Sequence, residues 1–170
     1  DEDFIEYVHQ ANMHSTMMFF TEQGRLYWTK VYELPEGNRQ SKGRALQNMI
    51  NIQKGDKVCA FIHVKNLNDM EYVQNHYLIF ATKDGLMKKT TLESYSRPRA
   101  NGIIALGLRE GDRLIRVTLT DGKSQMLVAS YNGKVVRFPE DTVRPMGRTA
   151  TGVRAIKLDE DGKDCVVGMI

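Results

Sequence analysis

The sequence is poor in the residues on which small disulfide-stapled or metal-dependent proteins rely. Its 170 residues include two cysteines, four histidines, four prolines and one tryptophan. Cys59 and Cys165 lie far apart in apolar segments without a CxxC pair. This usage favours buried free thiols in a reducing compartment over a disulfide.

Long hydrophobic runs are also missing. No apolar run approaches the roughly 20 residues that a membrane helix needs, so we expect no membrane partner. The first residues, DEDFIEYV, have no initiator methionine and no basic-then-apolar signal pattern. We therefore expect the chain to be a segment from inside a longer protein. At 170 residues, 41% hydrophobic and 26% charged, the chain has the composition of one soluble globular domain.

Motifs of catalysis and of nucleotide binding are absent as well. The sequence has no HExxH, GxxxxGK[ST], GxGxxG or GxSxG pattern. The histidines show no metal-ligand spacing; they are His9, His14, His63 and His76. We therefore expect this chain to be non-catalytic in itself, with no metal site and no cofactor.

The sequence instead contains one pattern that occurs three times. Each copy begins with a short apolar run, a turn ending in glycine (Gly24, Gly85 or Gly133) and a basic strand. An Arg- and Gly-containing loop follows, and it leads into a second apolar run. The repeats cover roughly 15–64, 76–120 and 124–170, within one domain, 1–170. Each predicts about four short strands, and spacings of this length are typical of propeller blades. The expected class is all-β with little helix.

Finer expectations concern the connections. The runs 16–21, 77–82 and 125–130 should be strands ending at glycine turns. Asp121-Gly122 predicts a further hairpin joining 113–120 to 124–130. The extra length of the first repeat falls in 64–77, which we interpret as a longer hairpin on one blade.

The net charge is only +3, but positive charge concentrates in three loops without carboxylates. We name them the first basic loop (38–48), the second (96–108) and the third (143–158). Arg and Lys neutralise phosphates, and the release of condensed counterions drives association with nucleic acid. Neighbouring glycines, Gly102 and Gly147 among them, leave room for backbone N–H groups to approach a phosphate. A polyanion running around the array would meet these loops in succession.

Aromatic residues also stand beside basic ones, at Tyr27-Trp28 between Arg25 and Lys30. They could stack on bases, but packing between blades is the favoured interpretation.

The segments FFTEQGRLYWTKVYELPEGNRQSKGRALQNMINIQKGD, ATKDGLMKKTTLESYSRPRANGIIALGLREGD and FPEDTVRPMGRTATGVRAIKL closely resemble the C-terminal domain of bacterial DNA gyrase A. The resemblance covers essentially the whole chain. It implies a β-pinwheel, a propeller-like array of four-stranded blades that exchange strands, with about three to four of six blades present. It also implies that duplex DNA wraps around a basic rim, so that ATP-driven strand passage introduces negative supercoils.

The resemblance carries further expectations about partners. They are double-stranded DNA and, in an A2B2 holoenzyme, the rest of gyrase A together with gyrase B, in the bacterial cytoplasm at the nucleoid. ATP and Mg²⁺ would act elsewhere in that assembly, as would the catalytic tyrosine. The implied rim residues are Arg39, Lys42, Arg44, Arg97, Arg99, Arg144, Arg148 and Arg154, with Lys88, Lys89, Lys134 and Arg137 in second rank.

One departure from the family pattern bears on the alternatives. The signature heptad QRRGGKG is absent and would be expected just before residue 1; RQSKG at 39–43 is a degenerate relative. The equivalent domain of topoisomerase IV, which lacks the heptad, is therefore a close alternative. A propeller serving as a protein-interaction platform is another, and it predicts mixed charge on the rim.

Overall fold

The structure, a computed structural model, describes residues 14–31, 52–160 and 162–170. The first repeat contains β1 (Thr16–Thr21), β2 (Arg25–Lys30) and β3 (Val58–Val64). The second contains β4 (Tyr77–Thr82), β5 (Leu86–Thr91), β6 (Ile103–Ile104) and β7 (Leu114–Thr120). The third contains β8 (Gln125–Ser130), β9 (Val135–Pro139), β10 (Val153–Arg154) and β11 (Val166–Met169). A short helix, α1 (Met70–Gln74), and two 3₁₀ helices, Leu92–Tyr95 and Glu140–Thr142, complete the described elements. The strands predicted at 16–21, 77–82 and 125–130 are confirmed.

The described strands form three antiparallel sheets, and neighbouring repeats exchange strands. The orders are β3-β1-β2-β6, β10-β5-β4-β7 and β11-β8-β9. Strand β6 belongs to the second repeat by sequence but pairs with β2 of the first, and β10 of the third repeat pairs with β5 of the second. The all-β, strand-exchanged fold implied by the resemblance is thus confirmed. Each exchanged strand is part of a basic loop, so the exchange also positions those loops.

Glycines allow the two exchanged strands to dock. Gly102 precedes β6 with φ +72°, and a Cβ there would lie 2.7 Å from both the Leu26 carbonyl oxygen and the Tyr27 ring. Gly152 precedes β10 with φ +104°, and a Cβ there would collide with the Met87 backbone. The glycine at each site therefore permits contact with the neighbouring repeat. For Gly102 this replaces the expectation that it leaves room for a phosphate.

We expect Gly152→Ala to destabilise the protein by about 2 kcal/mol, because it adds a backbone clash to an unfavourable positive φ. Gly147→Ala is the matched control in the same loop, since a Cβ there meets nothing within 4 Å. Urea unfolding of both variants checks this prediction. Equal stability of the two would show that β10 docks without needing the close approach.

In each repeat, an aspartate just before β3, β7 or β11 accepts a hydrogen bond from the turn of the hairpin with which that strand pairs. Asp56 Oδ1 accepts from the Gln23 amide at 3.1 Å, Asp112 Oδ1 from Asp84 at 3.0 Å and Asp164 Oδ1 from Asn132 at 3.0 Å. These aspartates, which follow Gly55, Gly111 and Gly162 in the sequence, therefore satisfy backbone donors that a tight hairpin leaves unpaired.

Apolar residues on both faces of one strand explain why the strand sequences are continuously hydrophobic. Leu78 and Phe80 of β4 belong to a core shared with the first repeat, whereas Ile79 and Ala81 belong to a core shared with the third. Successive side chains of a strand point to opposite faces. A sheet buried between two others consequently lacks the apolar/polar alternation of a half-exposed sheet.

Two predicted connections are wrong. Strands β7 and β8 do not form a hairpin at Asp121-Gly122, because β7 pairs with β4 while β8 pairs with β9 and β11. The chain instead crosses there from one sheet to the next. The segment 64–77 contains α1 rather than a hairpin, and Asp69 caps that helix by accepting from the Tyr72 amide at 3.2 Å.

Cys59 and Cys165 are free, as expected, but half-buried rather than fully buried. Burial, followed by the nearby charges of Glu22 and Asp56, raises the pKa of the Cys59 thiol to about 12. In the part of the chain that the structure describes, no helix has both the length and the apolar character to cross a membrane.

Candidate nucleic-acid interface

A groove lies where the second and third basic loops meet. The second loop leaves the 3₁₀ helix Leu92–Tyr95, exposes Arg97 and Arg99, and ends in β6 on the sheet of the first repeat. The groove is lined by Met70, Glu93, Ser94, Ser96, Arg97, Arg99, Ile103 and Arg148. Three guanidinium groups against one carboxylate give it a positive potential, and the two serines add neutral hydrogen-bonding groups.

Arg148 links the two loops. Its Nη1 atom donates to the Ile104 carbonyl oxygen at 2.6 Å, and the Gly107 amide donates to the Ala150 carbonyl oxygen at 3.1 Å. The first contact orients the Arg148 side chain and the second joins the loop backbones. Cations from two repeats therefore share one surface, although about 50 residues separate them in sequence.

Three other predicted rim residues are also exposed. Arg144 is exposed in the third basic loop and Arg154 is exposed on β10. Arg137 is exposed on β9. Arg39, Lys42 and Arg44 of the first basic loop lie outside the described residues.

Lys134 is exposed but already partnered. Its Nζ forms a 2.7 Å ion pair with Asp159 and also donates to the Lys157 carbonyl oxygen at 3.2 Å. The hydrogen bond that Lys134 donates to Asp159 raises the pKa of Lys134, and the same contact lowers the pKa of Asp159. A phosphate would have to compete with this carboxylate, so Lys134 is a weaker candidate than Arg144 or Arg154.

The burial of Lys88 corrects the expectation that it is a second-rank DNA contact. It is fully buried on β5, with Nζ 5.0 Å from the centre of the Phe80 ring and 5.8 Å from that of Tyr95. The ammonium donates to the Ala105 carbonyl oxygen at 2.6 Å and to the Arg148 carbonyl oxygen. It cannot reach a phosphate from this position.

We expect the free energy of unfolding to rise with pH through a contribution from Lys88. Burial, followed by the Arg148 charge, lowers the pKa of Lys88 from 10.5 to about 7. Between these values the unfolded state binds more protons, so stability increases as pH rises through the window. The penalty is largest below pH 7. Urea unfolding at pH 7, 8 and 9 measures this effect. The free energy of unfolding of the unsubstituted chain should rise relative to that of Lys88→Met by about 1 kcal/mol per pH unit.

Parallel pH dependences of the two proteins would contradict this prediction. They would mean that the two carbonyl oxygens and the two aromatic faces keep Lys88 protonated inside the protein.

Lys89 is also buried, 4% exposed, which corrects its assignment to the DNA-facing surface. Its side chain points towards the third repeat, where Nζ lies 3.5 Å from Glu140 Oε2. The same nitrogen lies 4.4 Å from the centre of the Tyr77 ring of its own repeat. Glu140 is fully buried; its carboxylate also accepts from Thr120 Oγ1 at 2.6 Å and from the Ser124 amide at 2.8 Å. Lys89 and Glu140 therefore form a buried ion pair between repeats.

The residues of these sites that the sequence does not single out are Glu140 and the groove residues Met70, Glu93, Ser94, Ser96 and Ile103. Glu140 occupies the position that Leu92 holds in the second repeat, directly after the hairpin, and Leu92 is also fully buried. Aligning the repeats would reveal a carboxylate at an apolar position. Interblade packing of Trp28 is confirmed, since its Nε1 donates to the Tyr95 carbonyl oxygen at 3.0 Å, whereas Tyr27 is buried in a core cluster of first-repeat residues.

Among the described residues, no group of three or more His, Cys, Asp or Glu side chains could hold a metal ion. Together, the strand-exchanged sheets and the cationic groove between repeats define a propeller-like β-repeat domain with a basic loop surface. A sequence profile described as "DNA gyrase C-terminal domain, beta-propeller" matches residues 15–65, 76–121 and 125–170. The chain belongs to this family.

Curated relatives agree with that assignment. The chain is 47% identical over 170 residues to the DNA gyrase A protein of Salmonella typhimurium and 42% identical over 169 residues to that of Staphylococcus aureus. These alignments cover 100% and 99% of this chain but 19% and 18% of the relatives. The chain thus spans about a fifth of the length of the proteins it matches.

Solved structures share the fold. The C-terminal domain of DNA topoisomerase IV superposes with a TM-score of 0.79 at 28% identity, covering 93% of this chain and 47% of that one. A DNA gyrase A C-terminal domain superposes with a TM-score of 0.73 at 21% identity, covering 94% and 48%. The fold therefore does not separate the two enzymes, whereas the curated relatives named above are gyrase A proteins.

Proposed function

We propose that this chain is a DNA-bending segment of a gyrase A protein, acting through contacts between its basic loops and the DNA backbone. The observation that supports it most is the convergence of Arg97, Arg99 and Arg148 from two repeats on one groove. Guanidinium groups pair with phosphate in a geometry that makes two hydrogen bonds possible. No described helix is long enough to read bases in a major groove, so the contacts would be independent of sequence.

In the holoenzyme, the segment would act with the rest of gyrase A and with gyrase B in an A2B2 assembly in the bacterial cytoplasm. Bending DNA over successive loops would hold a crossing of one hand near the strand-passage site. ATP-driven passage would then introduce negative supercoils, with the nucleotide, the Mg²⁺ and the DNA-cleaving chemistry in other parts of the assembly.

Duplex DNA binding across a salt series tests this proposal. If about six phosphates are neutralised, log K should fall with log salt with a slope of about −5. Two unrelated duplexes of equal length should bind alike. A folded sample that fails to bind at low salt, or binding that is insensitive to salt, would contradict the proposal; the second result would favour a protein-interaction platform.

The likeness to topoisomerase IV supports a second candidate, the equivalent domain of that enzyme. Ligating a nicked plasmid in the presence of saturating protein separates the two. A chiral wrap traps writhe and shifts the linking number after ligation, whereas bending without a wrap leaves it unchanged. We expect a shift for a gyrase segment, and its absence together with salt-sensitive binding would favour the topoisomerase IV alternative.

A further inference from the structure

Lys88 lies beneath the place where the two described basic loops meet. It sits on β5, the strand that receives the exchanged strand β10 from the third repeat. Its two acceptors belong to different loops, because Ala105 is in the second basic loop and Arg148 is in the third. One ammonium group therefore joins the sheet of the second repeat to both cationic loops.

We propose that Lys88 is a positioning residue for DNA binding, which locks the second and third basic loops into one surface through the carbonyl oxygens of Ala105 and Arg148. The inference rests on the proposed DNA-binding function. The two loops present Arg97, Arg99 and Arg148 to the groove. Fixing their relative position before DNA arrives reduces the ordering cost of binding.

The surroundings of Lys88 favour this role over simple filling of the core. A methionine or leucine would fill the volume without leaving an ammonium to desolvate, and buried lysines are rare unless partnered. The groups that face Lys88 are the rings of Phe80 and Tyr95 and the charge of Arg148. Its ammonium donates to carbonyl oxygens of the two loops, whereas the neighbouring Lys89 pairs with a carboxylate.

Tyr95 provides a matched comparison. Its hydroxyl donates to the same Ala105 carbonyl oxygen at 2.7 Å, an acceptor that belongs to the second basic loop. Tyr95→Phe thus removes one donor to the shared acceptor and leaves the bridge between loops intact. Lys88→Met removes the bridge and keeps a side chain of similar length.

The test measures duplex DNA affinity of the 170-residue chain at a temperature where each variant is folded. We expect Lys88→Met to weaken binding about tenfold, since the loops must be ordered during association. Tyr95→Phe should change affinity less than about threefold, corresponding to one weakened neutral hydrogen bond. Val64→Ala, a core substitution in β3, controls for lost stability alone and should leave affinity unchanged. Equal affinity of Lys88→Met and the unsubstituted chain would overturn the inference.

Native-state hydrogen exchange of the unsubstituted chain gives a second readout, which decides even if Lys88→Met does not fold. The Ala105 amide donates to the Gly24 carbonyl oxygen, and the Met146 amide donates to the Lys89 carbonyl oxygen. If Lys88 joins the loops, both amides should exchange through one opening with the same dependence on denaturant. Two separate openings would overturn the inference.

Failure of the inference can be told apart from failure of the proposed function. An unsubstituted chain that does not bind duplex DNA contradicts the function, while hydrogen exchange still reports whether the loops open as one unit.

Discussion

Replacing both Arg97 and Arg99 by glutamate is expected to lower the affinity for duplex DNA about a hundredfold at low salt, because two phosphate contacts become two repulsions. Both side chains are exposed at the groove, and neither lies in a described strand. The substitution should therefore leave the free energy of unfolding nearly unchanged. Fluorescence anisotropy with a labelled duplex measures the affinity, and urea unfolding verifies the fold.

The control must change net charge equally without touching the groove. Arg109 and Arg116 are also exposed, one in the turn before β7 and the other on β7 itself. Replacing both by glutamate should lower affinity by only a few fold, through long-range repulsion that salt screens. If the two double variants bind equally weakly, the effect is one of net charge and the groove is not the contact surface.

The second large effect concerns stability. Glu140→Gln should reduce the free energy of unfolding by about 3 kcal/mol, because it leaves the buried Lys89 ammonium without a counter-charge. Glutamine keeps the size of the side chain and can still accept from the Ser124 amide, which isolates the loss of charge. Urea unfolding at pH 7 measures the difference.

A double-mutant cycle decides whether the pair is the cause. Lys89→Met alone should also destabilise the protein, since it leaves a fully buried carboxylate unpaired. In combination with Glu140→Gln the loss should be much smaller than the sum of the two, because replacing both members of a buried pair removes two desolvation penalties together. Strictly additive losses would indicate that the two charges do not interact across the interface between repeats.

The basic strand at 86–91 shows how far the sequence alone could go in assigning the candidate site. Lys88-Lys89 and Arg97-X-Arg99 look alike as local charge clusters, yet the first pair is buried and the second exposed. The difference arises because β5 lies inside its sheet, between β10 and β4, with other repeats packed on both faces. Local sequence does not contain that information, since β10 comes from the following repeat.

Two glycines likewise differ in a way that only the packing between repeats explains. Gly102 and Gly147 are equivalent in sequence as small residues beside arginines, and the sequence predicts that both make room for phosphate. Gly102 is instead required by the close approach of the first repeat, while Gly147 has open space around it. Only the packing of one repeat on another distinguishes a glycine needed for docking from one that is not.

The sequence by itself determined the repeat, the strands at 16–21, 77–82 and 125–130, the glycine turns and the concentration of charge in loops. These follow from local chemistry, because β-branched and aromatic runs favour strands and glycine supplies positive φ. Only the tertiary structure shows which strands are exchanged and which cations face solvent. It also shows that β7 and β8 belong to different sheets. Those outcomes depend on contacts between repeats that are distant in sequence. A buried charge in particular needs partners that offset its desolvation, and only folding brings those partners together.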